Sequence, residues 1–470
     1  MDIDHGRKAL PAAGALLCSA VLLYFGTGFT PVAALTWLAP LPVLLVAPRV
    51  SGKAAAGLAF LAYLLSTANS WSFQLGSHDT PMWPVGVVMN VGMSLVFMFS
   101  VLAFRLQLRR GNALLAVVTG SAVWTGALYV VSVSNPMGLM GTFVTHQSDV
   151  PLVMQTAAVT GMWGVEFLLM LVPSTIAALL SSEVRLAGRM RAAAAAATLL
   201  ALAVGAGALR LADDSGGTTT HRVAAIATNQ KGWAPDLATP AARDLAAAYA
   251  DQISDLPDGV RTVVLPEASF GSHEAAPAVL FEPMSRVAKA RGMDVVVGFA
   301  HWEGKIKYNY ALVFPATGGT PMKYLKHHDK VSPPGRELVT TSTQAGVEIC
   351  LDVNFPQPSR TYAAAGTRLL AIPASDENDN GWQHSRTALL RGMENGQAVV
   401  WSARTGTVMV SDGWGRVLAD ARTGGPAPFT TVVADIPTGP GATPYTRFGD
   451  WFAWLCLALA ALGLWLPRRP

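Results

Sequence analysis

Three residues of different chemical type stand just beyond short apolar runs in the second half of the chain. Cys350 ends Gly346-Val347-Glu348-Ile349, Glu267 follows Val263-Val264-Leu265-Pro266, and Lys326 follows Met322-Lys323-Tyr324-Leu325. A cysteine nucleophile needs a base to form its thiolate and donors to hold the oxyanion that follows. A carboxylate and an ammonium at neighbouring strand ends would supply both. Each residue alone has an ordinary reading: Cys350 as buried filler, Glu267 as a helix cap, Lys326 as a solvated lysine. Together, each at a strand end, they point to covalent catalysis. Cys18 and Cys456 fall inside apolar runs and read as filler, and three cysteines make no disulfide framework. His327, His328 and His384 leave a cysteine–histidine hydrolase open, although solvated or structural roles suit them better. No histidine–carboxylate group has metal-ligand spacing along the chain, so neither a metal nor another cofactor is expected. Gly424-Gly425-Pro426 and Gly439-Pro440-Gly441 lack a phosphate-loop pattern and read as turns.

These residues need a layered α/β domain to hold them. Between about 213 and 446 the sequence alternates strand-like and helix-like stretches. Strands are expected at 223–228, 263–265, 293–299, 308–314, 347–350, 369–372, 399–401, 407–410 and 430–436, with amphipathic helices at 241–256 and 275–291. Strand ends in such domains are where active-site residues gather.

The rest of the chain is apolar. Of 470 residues, 51% are hydrophobic and only 14% charged, and the mean hydropathy is +0.36. That excludes a disordered, collagen-like or wholly soluble chain. A net charge of +4 with scattered basic residues argues against nucleic acid as a partner. Runs long enough to cross hydrocarbon lie at 9–25, 31–47, 54–71, 83–104, 114–133, 151–180 and 192–209, and one more at 451–466. Eight spans are therefore expected, in a membrane domain of residues 1–212 and a final span within 447–470. Basic residues cluster at Arg7 and Lys8, at Arg49 and Lys53, at Arg105, Arg109 and Arg110, at Arg185, Arg189 and Arg191, and at Arg468 and Arg469. The alternate connections carry none, so both termini are expected in the cytoplasm and residues 213–446 outside it. The first run could also read as a cleaved signal peptide, but the further spans make cleavage unnecessary. Glu166 lies in an apolar run, near the outer end of its expected span, where an intramembrane carboxylate is a functional candidate.

The motifs Leu265-Pro266-Glu267, Tyr324-Leu325-Lys326 and Ile349-Cys350-Leu351-Asp352 resemble the Glu–Lys–Cys triad of the nitrilase (carbon–nitrogen hydrolase) superfamily. His384-Ser-Arg-Thr-Ala-Leu-Leu-Arg-Gly-Met-Glu394-Asn395-Gly396 is similar to that superfamily's helix, and Asp412-Gly-Trp-Gly-Arg-Val-Leu to its following strand pair. The whole pattern of spans around such a domain resembles the membrane-embedded branch, the apolipoprotein N-acyltransferase family, and so do Asn135-Pro-Met-Gly-Leu-Met-Gly and Gly161-Met-Trp-Gly-Val-Glu-Phe-Leu. The resemblance implies a four-layer αββα sandwich, a phospholipid as acyl donor, a lipoprotein as acceptor, and membrane lipids around the spans. It implies Glu267, Lys326 and Cys350 as catalytic residues, with Glu337 and the backbone N–H of Leu351 in support. It places the chain in the cytoplasmic (inner) membrane with the catalytic domain outside. Three features depart from the family. The lysine motif reads Lys326-His-His-Asp-Lys330-Val-Ser-Pro-Pro-Gly-Arg-Glu337, which makes Lys330 a rival to Lys326. Only 24 positions separate Lys326 from Cys350, and Leu351-Asp352 replaces Tyr-Glu. A membrane-anchored amidase or nitrilase-like hydrolase, with water in place of the amine, is the alternative.

Overall fold

The computed structural model describes residues 3–77, 81–138, 141–213, 220–229, 232–376 and 380–466. Arg468, Arg469, Leu139 and Met140 lie outside them. The chain divides into two units, residues 1–209 with 448–470 and residues 210–447.

The first unit is a multi-pass helical membrane region. Among the described residues, four helices are long and apolar enough to cross a membrane, at Met82–Arg109, Ala113–Ser134, Met162–Leu179 and Leu186–Leu211. Shorter apolar helices lie at Leu10–Gly26, Ala33–Arg49 and Trp451–Trp465, overlapping three more of the eight expected runs. Local breaks interrupt several of the runs. Pro40, Pro42 and Pro48 divide the second run into short turns at Ala33–Thr36, Leu41–Val46 and Ala47–Arg49, because proline lacks an N–H and crowds the preceding turn. The third run leaves the α-helix at Ser66 for a 3-10 turn, Thr67–Ser70, whose Thr and Ser hydroxyls bond back to main-chain carbonyls. The sixth run breaks at Gly161, whose φ of +65° no helix accepts. Close packing holds the unit together. Trp124 stacks on Phe143 with centroids 4.7 Å apart and meets Phe97 edge-on at 6.2 Å. A Cβ at Gly463 would lie 2.1 Å from Thr119 Oγ1, so glycine lets helices Trp451–Trp465 and Ala113–Ser134 touch. From a third helix, Met82–Arg109, the Gln107 amide donates to the Gly463 carbonyl.

The second unit is a helix–sheet–sheet–helix sandwich. Its strands are β1 (Thr220–Thr228), β2 (Val260–Val264), β3 (Phe270–Ser272), β4 (Asp294–Glu303), β5 (Ile306–Phe314), β6 (Met322–Leu325), β7 (Ala345–Val347), β8 (Leu369–Ala374), β9 (Ala398–Ala403), β10 (Thr407–Ser411), β11 (Val417–Arg422) and β12 (Phe429–Pro437). One sheet runs β12-β1-β2-β4-β5-β6, with β3 beside β4, and the other runs β11-β10-β9-β8-β7. The β1–β2–β4 and β7–β8–β9 ladders are parallel and the flanking pairs antiparallel. Side chains alternate across each strand. Ala224 and Ile226 of β1, Val263 of β2 and Val295 and Val297 of β4 join Tyr249, Ile253, Leu280 and Met284 of helices Pro240–Ser254 and Ala278–Arg291 in one apolar core. Helix Gly381–Asn395 packs on β9 and β10 of the second sheet. Where the sheets face each other, the Ser402 hydroxyl donates to the Ile226 carbonyl at 2.8 Å. Both parallel ladders put the C-terminal ends of β2, β7 and β8 near one another, and Glu267 N–H donates to the Ala374 carbonyl at 3.0 Å between them.

Candidate active site

Each residue of interest lies one to three positions past a strand. The chain leaves β2 at Val264 and places Glu267 in a turn that lies directly on β4. A Cβ at Gly298 would stand 2.2 Å from the Pro266 carbonyl and 2.5 Å from Glu267 Cα, so only glycine lets that turn settle there. Lys326 follows β6 immediately, and its N–H donates to the Asn309 carbonyl of β5 at 3.0 Å. Its ammonium reaches Glu267 Oε1 at 2.7 Å. Asn309 Nδ2 donates to the same oxygen at 2.7 Å and to Asp329 Oδ2 at 3.1 Å. Glu267 and Lys326 are both nearly inaccessible, at 4% and 7% exposure.

Cys350 is expected to end a strand, but β7 stops at Val347, and Cys350 opens a 3-10 turn, Cys350–Asn354, with φ +45°. A non-glycine residue in that region is strained and persists only when its surroundings hold it. Asp352 is the holder. Its carboxylate accepts from the Ile349 N–H at 2.9 Å, the His328 N–H at 2.7 Å and the Tyr324 hydroxyl at 2.8 Å. It thereby ties the cysteine turn to the segment that carries Lys326.

Burial alone would push the Lys326 ammonium down. The negative charges of Glu267, Cys350, Asp352 and Asp329 outweigh it and hold it above its ordinary range. Burial, and next the charge of Glu267, push the Cys350 thiol well up, with Lys326 and the Ser375 N–H opposing. Burial would raise Asp329, but Lys326 and the Ser332 and Val331 N–H groups carry it below its usual value. Behind the cysteine turn, burial and Asp352 push Glu348 up to about 8 against the Ser359 hydroxyl, which stands 2.8 and 2.9 Å from its two oxygens.

Other sequence expectations fall differently. Glu337 is exposed, and its carbonyl faces His327 Nε2 at 3.1 Å; besides Glu267, the carboxylates whose charges act on Lys326 are Asp352 and Asp329. Lys330 is exposed, whereas Lys326 is buried. Leu351 is half-buried in the turn after the cysteine. Glu166 does not face a polar boundary. It is buried in the membrane unit, where its carboxylate accepts from Trp124 Nε1 at 2.8 Å and Val144 N–H at 2.9 Å. Sequence reading passed over Asn309, Asp329 and Asp376. It took His384 for structural, yet His384 Nδ1 lies 2.6 Å from Asp376 Oδ1, and a ligand atom of each lies within 4.8 Å of the others in a group with Cys350. Their positions on three different elements left no spacing to notice. A family model described as "Apolipoprotein N-acyltransferase N-terminal domain" matches residues 19–175, and one described as "Carbon-nitrogen hydrolase" matches residues 222–439. Proteins named apolipoprotein N-acyltransferase match as well. That of Geobacter metallireducens is 30% identical over 27% of this chain and 26% of its own length, that of Gloeobacter violaceus 34% over 29% and 26%, and that of Methylococcus capsulatus 26% over 44% and 47%.

The chain resembles the apolipoprotein N-acyltransferase family, a branch of the nitrilase superfamily.

The matched stretches span from a quarter to about half of those relatives' length, 26% to 47% for the three. Among solved structures, Saccharomyces cerevisiae Nit3, a member of branch 10 of the nitrilase superfamily, is 19% identical. It covers 47% of this chain and 91% of its own, with a TM-score of 0.38. A carbon-nitrogen hydrolase from Helicobacter pylori is 18% identical over 51% of this chain and 94% of its own, with a TM-score of 0.37.

Proposed function

We propose that the protein is a membrane-integral N-acyltransferase that works through a thioester on Cys350. The observation that carries this reading is the buried Lys326–Glu267 pair, 2.7 Å apart, beside a cysteine held on a strained turn. Glu267 takes the Cys350 thiol proton, and the sulfur attacks the ester carbonyl carbon of a phospholipid acyl chain. Lys326 and backbone N–H groups near Leu351 hold the oxyanion. When the C–O bond breaks, Glu267 returns the proton to the departing lysophospholipid oxygen. A primary amine then attacks the thioester carbon, Glu267 takes its proton, and the C–S bond breaks to release the amide and restore the thiol. By similarity to the family, the amine is the N-terminus of a diacylglyceryl-cysteine lipoprotein. A thioester suits aminolysis, and a site near lipid limits competing water. Asp329 fits the supporting place first expected of Glu337, since its charge helps keep Lys326 protonated. Arg185, Arg189 and Arg191, at the start of helix Leu186–Leu211, favour a catalytic unit on the outer side of the cytoplasmic membrane.

Intact-protein mass spectrometry after incubation with phospholipid tests this. An acyl-sized increment on Cys350 that an added lipid-linked amine discharges as an amide is expected. Discharge to free fatty acid at the same rate with and without the amine would instead favour the hydrolase, and no increment at all would end the covalent reading.

A further inference from the structure

We propose that Cys350, Asp376 and His384 form a binding site for a borderline-soft divalent cation of the Zn²⁺ class, and that its occupancy silences the nucleophile. Among the described residues they are the one group whose sulfur, carboxylate and imidazole atoms converge, all within 4.8 Å of one another. Ligands around a tetrahedral Zn²⁺ stand about 3.4 Å apart, from bond lengths of roughly 2.0–2.3 Å, so modest side-chain rotation closes the set. Thiolate, imidazole and carboxylate together select Zn²⁺ or a close relative over Mg²⁺ and Ca²⁺, which take oxygen.

Two further observations point to a ligand. Asp376 and His384 are only 3% and 5% exposed, yet among the described residues Asp376 Oδ2 and His384 Nε2 have no hydrogen-bond partner. Buried polar atoms are rarely left so, because each forfeits its hydration. A cation gives such atoms a partner. The two side chains already stand together: His384 Nδ1 meets Asp376 Oδ1, and the ring packs edge-on to Trp401 at 4.9 Å.

Binding is balanced by loss of one proton: the Cys350 thiol gives up its hydrogen and its sulfur lone pair passes to the cation. That lone pair can no longer attack an acyl carbon, while the Glu267–Lys326 pair is left in place. The cation is an inhibitor, not a participant. The binding claim stands apart from the acyl-transfer reading; only the inhibition rests on it.

The test uses the full chain in detergent, stripped with a chelator. Adding Cd²⁺ should produce thiolate-to-metal charge-transfer absorption at one equivalent, absent in Cys350→Ser. Zn²⁺ should slow iodoacetamide labelling of Cys350 at least tenfold, and a chelator should restore it. Losing even an outer-sphere partner of a metal site costs about 10–100-fold in affinity, so Asp376→Asn and His384→Ala should each weaken Zn²⁺ protection by at least roughly tenfold. Labelling of wild-type Cys350 at an unchanged rate in saturating Zn²⁺ would overturn the proposal, whatever the folding of the variants. So would undiminished protection in both variants. Protection without any detectable acyl transfer would uphold the site and sink only the proposed function.

Discussion

Lys326 and Lys330 stand four positions apart, and the altered motif leaves both eligible as the catalytic amine. Only Lys326 is buried against Glu267, and Lys330 points outward. An oxyanion donor typically contributes about 2.7–4 kcal/mol to the transition state. Lys326→Met should therefore slow single-turnover acylation about a hundred- to thousandfold, and Lys330→Met less than roughly tenfold. The reverse ranking would transfer the role to Lys330. Glu348 offers a test on stability. Its pKa is raised to about 8 chiefly by burial, so the fold favours its neutral form. Its contribution is complete below its unfolded pKa of about 4.3 and is lost as pH rises through the folded value. Wild type should lose stability against Glu348→Gln between these limits, by up to about 1.4 kcal/mol per pH unit. Paired denaturant melts of the isolated full chain at intervals across that range read the difference; parallel curves would show that Glu348 does not titrate there.

Among the elements, the turn after β2 depends on what β4 leaves out. At Gly298 an added Cβ meets backbone atoms of Pro266 and Glu267, which cannot rotate away. Gly298→Ala should displace Glu267, slow Cys350 acylation more than tenfold, and destabilise the domain by about 1–3 kcal/mol, as overpacking does. Acylation at the wild-type rate would mean that the turn tolerates displacement. The strands of the second unit were legible as short apolar runs: the expected runs at 223–228 and 308–314 fall within β1 and β5, and that at 293–299 overlaps β4 from Asp294 on. The three-residue β3 and the half-exposed β11 were not, since neither has an apolar run to announce it. The apolar runs were legible too, but not the breaks inside them. Hydropathy counts apolar residues and is blind to where Pro40 or Gly161 stops a helix.

At the scale of the whole molecule, the basic residues at the start of helix Leu186–Leu211 are expected to set the orientation. A reporter fused after Arg191 should be cytoplasmic, and one fused after Asp214 extracytoplasmic. Both on the same side would remove that helix from the membrane. Composition and charge asymmetry are sums over residues, so the amino-acid sequence by itself determined that the chain joins an apolar helical part to an α/β part. Strand-end motifs likewise marked Glu267, Lys326 and Cys350, because local patterns carry that information. Only the tertiary structure decided which groups meet. It buried Lys326 and left Lys330 and Glu337 exposed, brought the charges of Asp352 and Asp329 to bear on Lys326, turned Glu166 inward, and brought Asp376 and His384 beside Cys350. Those outcomes depend on the register and crossing of elements far apart in the chain, and long-range packing leaves no periodicity along the sequence to read.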